Sequence, residues 1–222
     1  MSEWIELNSA GGSPIAAWLA APAGQPRGGV VVVQEIFGVN HHIRAVADRF
    51  AAEGYLAIAP AVFDRVEKGV ELEYNQDGVK RGMEIVGKVA REAAIADIAA
   101  AAARVASAGK VGVVGFCYGG TMAWLSAART EGVSAAVGYY GGGVIGLKDL
   151  KPLAPTMLHF GEKDAHIPLA GVREVEAAHP DVPVYVYPAD HGFNCDERGS
   201  YDAPSAKLAW GRTLDFFAKH LA

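Results

Sequence analysis

The chain has 222 residues, of which 51% are hydrophobic and 20% charged, with 27 glycines and two cysteines. This composition excludes an intrinsically disordered chain, which requires low hydrophobicity and high net charge. The formal net charge of −5 argues against a surface that binds nucleic acid or an anionic membrane. We expect a single domain over residues 1–222, located in the cytoplasm, with no nucleic-acid or membrane partner.

One stretch approaches the length of a membrane span. Val111–Ala128 runs for 18 residues without a charge, about the lower limit for a transmembrane helix. Its glycines, and a β-branched run that stops at Gly115, predict a strand, a turn and a helix instead. The N-terminal residues Met1–Asn8 also lack the basic and apolar segments of a signal peptide.

The predicted elements begin with a hairpin and then alternate between strands and helices. The hairpin has strands at Trp4–Leu7 and Ile15–Leu19 around a glycine-rich turn. The further predicted strands are Gly29–Gln34, Tyr55–Ala59, Val111–Gly115, Ala135–Tyr139, Thr156–Phe160 and Val184–Tyr187. The predicted helices are Ile43–Ala52, Val89–Ala106, Thr121–Ala128, Val172–Ala178 and Asp202–His220. Residues 61–88 are more polar, which predicts an excursion above the sheet.

This alternation predicts an α/β fold, with a mostly parallel central sheet and helices on both faces. In such sheets, ligands bind beyond the carboxyl ends of the strands. The segments that directly follow the predicted strands are therefore the places to look for functional residues.

The segment after the predicted strand Val111–Gly115 carries the first catalytic candidate. Gly115-Phe-Cys-Tyr-Gly119 is the nucleophile-elbow pattern G-x-S-x-G with cysteine in place of serine. The glycines leave room for a strained turn, and the start of the following helix favours a thiolate. The alternative is a glycine-rich turn around a buried, inert cysteine. Because a strand precedes the motif and a helix follows it, we predict that Cys117 is a nucleophile.

Two later strand ends supply partners for this thiol. Asp164 follows Thr156–Phe160, and His191 follows Val184–Tyr187, which is the chain order nucleophile, acid, base. Asp190 is adjacent to His191, but neighbours in sequence rarely face each other, so Asp164 is the predicted orienting acid. An isolated aspartate could simply form a turn. We predict a Cys117–Asp164–His191 triad because the three candidates follow successive strands.

The residues after Val30–Val33 are Gln34-Glu-Ile-Phe-Gly38. We predict that the backbone N–H groups of Ile36 and Tyr118 form an oxyanion hole. Glu35 is predicted to point towards the thiol and to keep it neutral until substrate arrives, because a nearby negative charge opposes thiolate formation. The alternative for Glu35 is a surface glutamate at a strand end.

These segments resemble the dienelactone hydrolase family of the α/β-hydrolase superfamily. The resemblance rests on Gln34–Gly38, Gly115–Gly120, Gly161–Asp164 and His191–Phe193, with Tyr201–Trp210 similar to the family's C-terminal helix. It implies the α/β-hydrolase fold and the opening of a carboxylated butenolide lactone to maleylacetate by Cys117. It also implies that Glu35 gates the thiol, that His191 and Asp164 complete the triad, and that no metal or organic cofactor takes part.

The resemblance implies less about substrate binding. The family holds the substrate carboxylate with two arginines, one of them four residues after the catalytic histidine, and here that position is Cys195. The nearest downstream arginine is Arg198, and the second candidate, Arg81, lies in the polar excursion. The further candidates for substrate contact are Phe37, Tyr139 and Phe193; Tyr140 also follows a strand end.

Three functional hypotheses follow from the residues and the resemblance. The first is a cysteine hydrolase that opens a butenolide lactone, with a small-molecule ester or lactone as its substrate. The second keeps the triad but acts on a thioester or an aryl ester. The third is a redox-sensitive thiol protein, because cysteines of low pKa oxidise readily. The sequence leaves the oligomeric state open, and a monomer is compatible with it.

Overall fold

The computed structural model describes residues 1–10, 12 and 14–222. One mixed sheet contains the strands β1 (Ser2–Leu7), β2 (Ile15–Ala20), β3 (Gly29–Val33), β4 (Leu56–Pro60), β5 (Val111–Phe116), β6 (Val133–Tyr139), β7 (Thr156–Gly161) and β8 (Val184–Tyr187). Their order across the sheet is β1-β2-β4-β3-β5-β6-β7-β8. The predicted hairpin is confirmed as the antiparallel pair β1 and β2, and residues 11 and 13 of its predicted turn lie outside the described residues.

The sheet carries helices on both faces, as predicted. The helices are α1 (His41–Ala52), α2 (Gln76–Val86), α3 (Arg91–Val105), α4 (Tyr118–Arg129), α5 (Leu169–Ala178) and α6 (Ala203–Leu221). The polar excursion contains α2 and a short 3-10 helix at Val62–Arg65, neither of which the sequence predicted. Within the part of the chain that the structure describes, no helix is both long enough and apolar enough to cross a membrane.

The strand β3 shows why the sheet is covered on both sides. Its alternate valines point to opposite faces, as the two-residue period of a strand requires. Val30 and Val32 pack into the cluster that contains Phe50 of α1 and Phe217 of α6. Val31 and Val33 pack into the second cluster, which contains buried residues of α3 and α4. Burial on both faces accounts for the continuous apolar run, which is typical of a central parallel strand.

The parallel part of the sheet brings the candidate segments to one edge. The strands β3, β5, β6, β7 and β8 are parallel, and Val33 pairs with Gly115 while Gly161 pairs with Tyr187. The loops after β3, β5, β7 and β8 therefore leave the sheet at the same end. Residues that are more than 150 positions apart in sequence, such as Glu35 and Arg198, become neighbours there.

Candidate active site

Cys117 lies in a strained turn between β5 and α4. Its φ of 55° and ψ of −112° are unusual for a residue with a side chain. A Cβ on Gly115 would lie 1.9 Å from the carbonyl oxygen of Gly119, and a Cβ on Gly119 would lie 2.3 Å from that of Val33. Both glycines of the motif are thus required by close backbone contacts. The turn places a partly exposed thiol at the start of a helix.

His191 and Asp164 meet beside this turn. The imidazole Nδ1 lies 2.6 Å from Asp164 Oδ2, and the Asp164 side chain is fully buried. The same carboxylate accepts the backbone N–H of His166 at 2.8 Å. Asp190 instead accepts the backbone N–H of His191 at 2.6 Å. The structure therefore pairs the histidine ring with Asp164, in agreement with the argument against a sequence neighbour.

The ionisation of the pair follows from these contacts. Burial lowers the pKa of His191, but the hydrogen bond to Asp164 and the nearby thiol of Cys117 outweigh burial and raise the pKa from 6.5 to about 10. Burial also raises the pKa of Asp164, and the hydrogen bond to His191 more than offsets that, so the net pKa is lowered. Both directions stabilise the imidazolium that His191 forms when it takes up a proton, because the imidazolium is then paired with a carboxylate.

Glu35 is fully buried and has two partners. Tyr74 Oη donates to its Oε2 at 2.9 Å, and Arg198 Nη1 donates to its Oε1 at 3.2 Å. A buried carboxylate needs such partners, because water can no longer solvate its charge. Among the described residues, no hydrogen bond joins Glu35 to Cys117. Glu35 is thus a neutralised buried charge rather than a surface glutamate.

The two predicted oxyanion donors lie on adjacent segments. Gly119, in the first turn of α4, lies against the carbonyl oxygens of Val33 and Gln34, which brings the start of this helix next to the loop that contains Ile36. Within the described residues, neither the Ile36 nor the Tyr118 N–H donates to a backbone acceptor. Both groups therefore remain available as donors.

The structure gives three of the predicted substrate contacts other partners within the protein. Arg81 is held on the exposed side of α2 by Glu67 and Glu84. Tyr139 is fully buried, and its hydroxyl is hydrogen-bonded to Thr213 of α6 at 2.6 Å. Phe193 is also fully buried, with its ring against those of Tyr140 and Tyr187. Arg81 is thus paired with surface glutamates, and Tyr139 and Phe193 are enclosed in the core.

The other two predicted contacts lie at a cleft beside Glu35. Phe37 and Arg198 line a cavity of about 370 Å³, together with Tyr74, Asn75, Gln76 and Val79. The Arg198 guanidinium lies over the rings of Phe37 and Tyr74, at 5.7 and 5.5 Å from their centroids. Neither this cavity nor a larger one of about 660 Å³, between the segments 148–156 and 178–182, is lined by Cys117, Asp164 or His191.

Neither Tyr74 nor Tyr140 was among the substrate contacts predicted from the sequence. Tyr74 lies in the polar excursion, where no periodic pattern or motif marked it. Tyr140 directly follows β6, so its place at a strand end was a usable signal, yet the adjacent Tyr139 was preferred. The ring of Tyr140 lies 5.1 Å from that of His191. Which of two adjacent tyrosines reaches the site depends on the backbone direction at the strand end.

Comparison with known proteins identifies the family of this chain. The family model for the dienelactone hydrolase family matches residues 15–221. The chain belongs to the dienelactone hydrolase family. It is 35% identical to a Synechocystis protein provisionally named a carboxymethylenebutenolidase, over 93% of this chain and 92% of that protein. A Yersinia pestis protein of the same provisional name is 36% identical, over 94% of this chain and 85% of that protein.

Solved structures give the same result for the fold. A provisionally named dienelactone hydrolase from Klebsiella pneumoniae superposes with a TM-score of 0.89 at 35% identity, covering 99% of this chain and 98% of that one. A dienelactone hydrolase-like promiscuous phosphotriesterase from metagenomic libraries shares the fold, with a TM-score of 0.78 at 21% identity. The chain thus has the α/β-hydrolase fold and is a carboxylic ester hydrolase of the carboxymethylenebutenolidase type.

Proposed function

We propose that Cys117 is the nucleophile of this ester hydrolase. The observation that carries the proposal is the arrangement of three groups. Cys117 lies in a strained turn at the start of α4, its thiol is close enough to His191 to raise the pKa of the imidazole, and His191 Nδ1 lies 2.6 Å from the buried Asp164. A nucleophile, a base within reach and a third group that orients the base are the general requirements for covalent catalysis.

The arrangement supports a two-step mechanism. His191 takes the thiol proton, and Cys117 Sγ attacks the ester carbonyl carbon while Asp164 stabilises the imidazolium. The oxyanion that forms accepts hydrogen bonds from the Ile36 and Tyr118 N–H groups. The C–O bond then breaks, and His191 returns its proton to the leaving oxygen. Water, activated by the same histidine, hydrolyses the acyl-thioester and regenerates the thiol.

Glu35 and Arg198 couple substrate binding to this chemistry. In the structure, the Arg198 guanidinium neutralises the Glu35 carboxylate. A substrate carboxylate that enters the cleft competes with Glu35 for the same guanidinium. This competition makes the pair of Glu35 and Arg198 the part of the site that responds to substrate, which is how we interpret the gating role of Glu35.

The proposed substrate is a butenolide lactone with a free carboxylate, opened to maleylacetate. Arg198 supports it, because its side chain lines the cleft and is 19% exposed. A second candidate is a small uncharged ester or thioester. The pairing of Arg81 with two glutamates favours this alternative, since the cleft then has one arginine where the family uses two.

The nucleophile is tested by Cys117→Ala. We expect ester turnover to be abolished while the melting temperature stays close to that of the wild type. Cys195 provides an internal control, because burial, with the charge of Glu35, raises the pKa of this fully buried thiol to about 12. Iodoacetamide should therefore label the wild type and leave Cys117→Ala unlabelled. Turnover in Cys117→Ala would refute the proposal, and thiol oxidation without any turnover would favour the redox hypothesis.

The substrate class is tested with a carboxylated lactone and an uncharged aryl ester. We expect Arg198→Gln to lower kcat/KM for the lactone at least about tenfold more than for the aryl ester, because a charge-assisted bond is lost only with the lactone. Arg81→Gln is the matched control and should leave the ratio of the two values unchanged. An unchanged ratio in Arg198→Gln would contradict a carboxylate site at Arg198.

A further inference from the structure

Tyr140 carries a buried hydroxyl without a partner. The residue is fully buried, and within the described part of the chain its Oη has no hydrogen-bond partner. The adjacent Tyr139 is equally buried, yet its hydroxyl is paired with Thr213. Burying an unpaired hydroxyl costs free energy, so such groups are rare in folded proteins and call for a reason.

The backbone of Tyr140 adds a second cost. Its φ of 38° lies in the left-handed region, where a residue with a side chain is strained. In the described part of the chain, Cys117 and Tyr140 are the two residues other than glycine with a positive φ. The two turns are linked, because the Cys117 N–H donates to the Tyr139 carbonyl oxygen at 3.0 Å. Strain of this kind is concentrated at functional sites.

The position of Tyr140 shows what the strain achieves. The turn directs its ring against His191, with 5.1 Å between the ring centroids. Its hydroxyl is also close enough to Glu35, Arg198 and Cys117 to feel their charges. Burial and then the charge of Glu35 raise the pKa of Tyr140 well above 10, so the hydroxyl keeps its proton. The site thus contains a hydrogen-bond donor that the resting protein does not use.

We propose that Tyr140 donates this hydrogen bond to the leaving oxygen of the bound ester. The inference rests on the proposed cysteine mechanism, and it adds a residue that contacts substrate on the His191 side. As the C–O bond breaks, its electron pair moves onto that oxygen, which takes the proton carried by the His191 imidazolium. Tyr140 keeps its own proton and stabilises the charge that develops before the transfer is complete. The role makes Tyr140 specific for oxygen esters, because a thioester sulfur is a much weaker acceptor.

The experiment compares Tyr140→Phe with Tyr139→Phe. Both variants are assayed with an oxygen ester and a thioester of the same acyl group, so that the acyl-enzyme and its hydrolysis are common to the two substrates. For Tyr140→Phe we expect kcat/KM to fall about ten- to a hundredfold with the oxygen ester and less than about threefold with the thioester. Its melting temperature should be unchanged or higher, since the lost hydroxyl is unpaired in the resting protein.

Tyr139→Phe should behave in the opposite way. It loses a paired core hydroxyl, so we expect a lower melting temperature and an unchanged ratio between the two substrates. Three results for Tyr140→Phe would overturn the role given to its hydroxyl and leave the cysteine mechanism intact. They are an equal fall in kcat/KM with both esters, no fall with either ester, and a lower melting temperature. Turnover that survives Cys117→Ala would overturn the mechanism and this inference together.

Discussion

Replacing Tyr74 with phenylalanine probes how the buried charge of Glu35 is held. The hydroxyl of Tyr74 donates to the fully buried Glu35 at 2.9 Å, and its ring packs on Phe37 with 4.6 Å between centroids. Phenylalanine keeps the ring contact and removes the hydrogen bond. A hydrogen bond to a charged group contributes about 1.5–3 kcal/mol. We therefore expect the free energy of unfolding to fall by about 2 kcal/mol and the melting temperature to fall by about 4–8 °C.

The assay is a double-mutant cycle by denaturant unfolding at pH 7. It uses the wild type, Tyr74→Phe, Glu35→Gln and the double variant. We expect a coupling free energy of about 1–2 kcal/mol, because the two side chains are in direct contact. Tyr201→Phe is the control for removal of an exposed tyrosine hydroxyl and should change stability by less than about 0.5 kcal/mol. Two results would show that the Tyr74 hydroxyl does not stabilise the charge of Glu35. One is a Tyr74→Phe variant that is as stable as the wild type. The other is a Tyr74→Phe substitution that costs as much stability in the Glu35→Gln background as in the wild type.

Three further predictions concern the triad, the elbow and the core. Asp164→Asn should lower kcat/KM in steady-state ester hydrolysis by at least about a hundredfold, because the amide cannot stabilise the imidazolium. Asp190→Asn loses a hydrogen bond to a backbone N–H and should lower kcat/KM by less than about tenfold. Equal losses of kcat/KM in the two variants would contradict the assignment of Asp164 as the acid that orients His191. Gly115→Ala should destabilise by about 2–3 kcal/mol in chemical denaturation, since its Cβ would lie 1.9 Å from a carbonyl oxygen of α4. Gly211→Ala, in α6 with open space around it, should instead stabilise by about 0.5–1 kcal/mol. Burial lowers the pKa of His159 from 6.5 to about 3. Stability that is present above pH 6.5 is therefore lost as the pH falls from 6.5 to 3. His159→Gln should flatten this dependence of the unfolding free energy on pH.

The elements and the chemical motif could be predicted because their signals are local. The valine run of β3 and the apolar period of α1 show burial directly in the sequence. The glycines around Cys117 mark a turn that side chains would block. Asp164 and His191 were predictable from chain order, since parallel strands bring their carboxyl ends to the same edge of the sheet.

The surroundings of Glu35 could not be predicted in this way. The hydroxyl that binds it comes from Tyr74, in a polar segment without periodicity. Its guanidinium partner comes from Arg198, more than 150 residues away in sequence, while Arg81 is paired with surface glutamates. A pairing between distant residues depends on where the loops pack, and no spacing in the sequence records that position.

The sequence by itself determined the order of strands and helices, the tight turn at Cys117 and the three strand ends that hold the proposed triad. These features depend on side-chain period and on steric limits of neighbouring residues, which the chain carries locally. Only the tertiary structure decided which charges are neutralised and which hydroxyl remains unpaired. Tyr139 and Tyr140 show the reason: they are adjacent and chemically identical, yet the Tyr139 hydroxyl is hydrogen-bonded to Thr213, while the ring of Tyr140, a residue with a positive φ, lies beside that of His191.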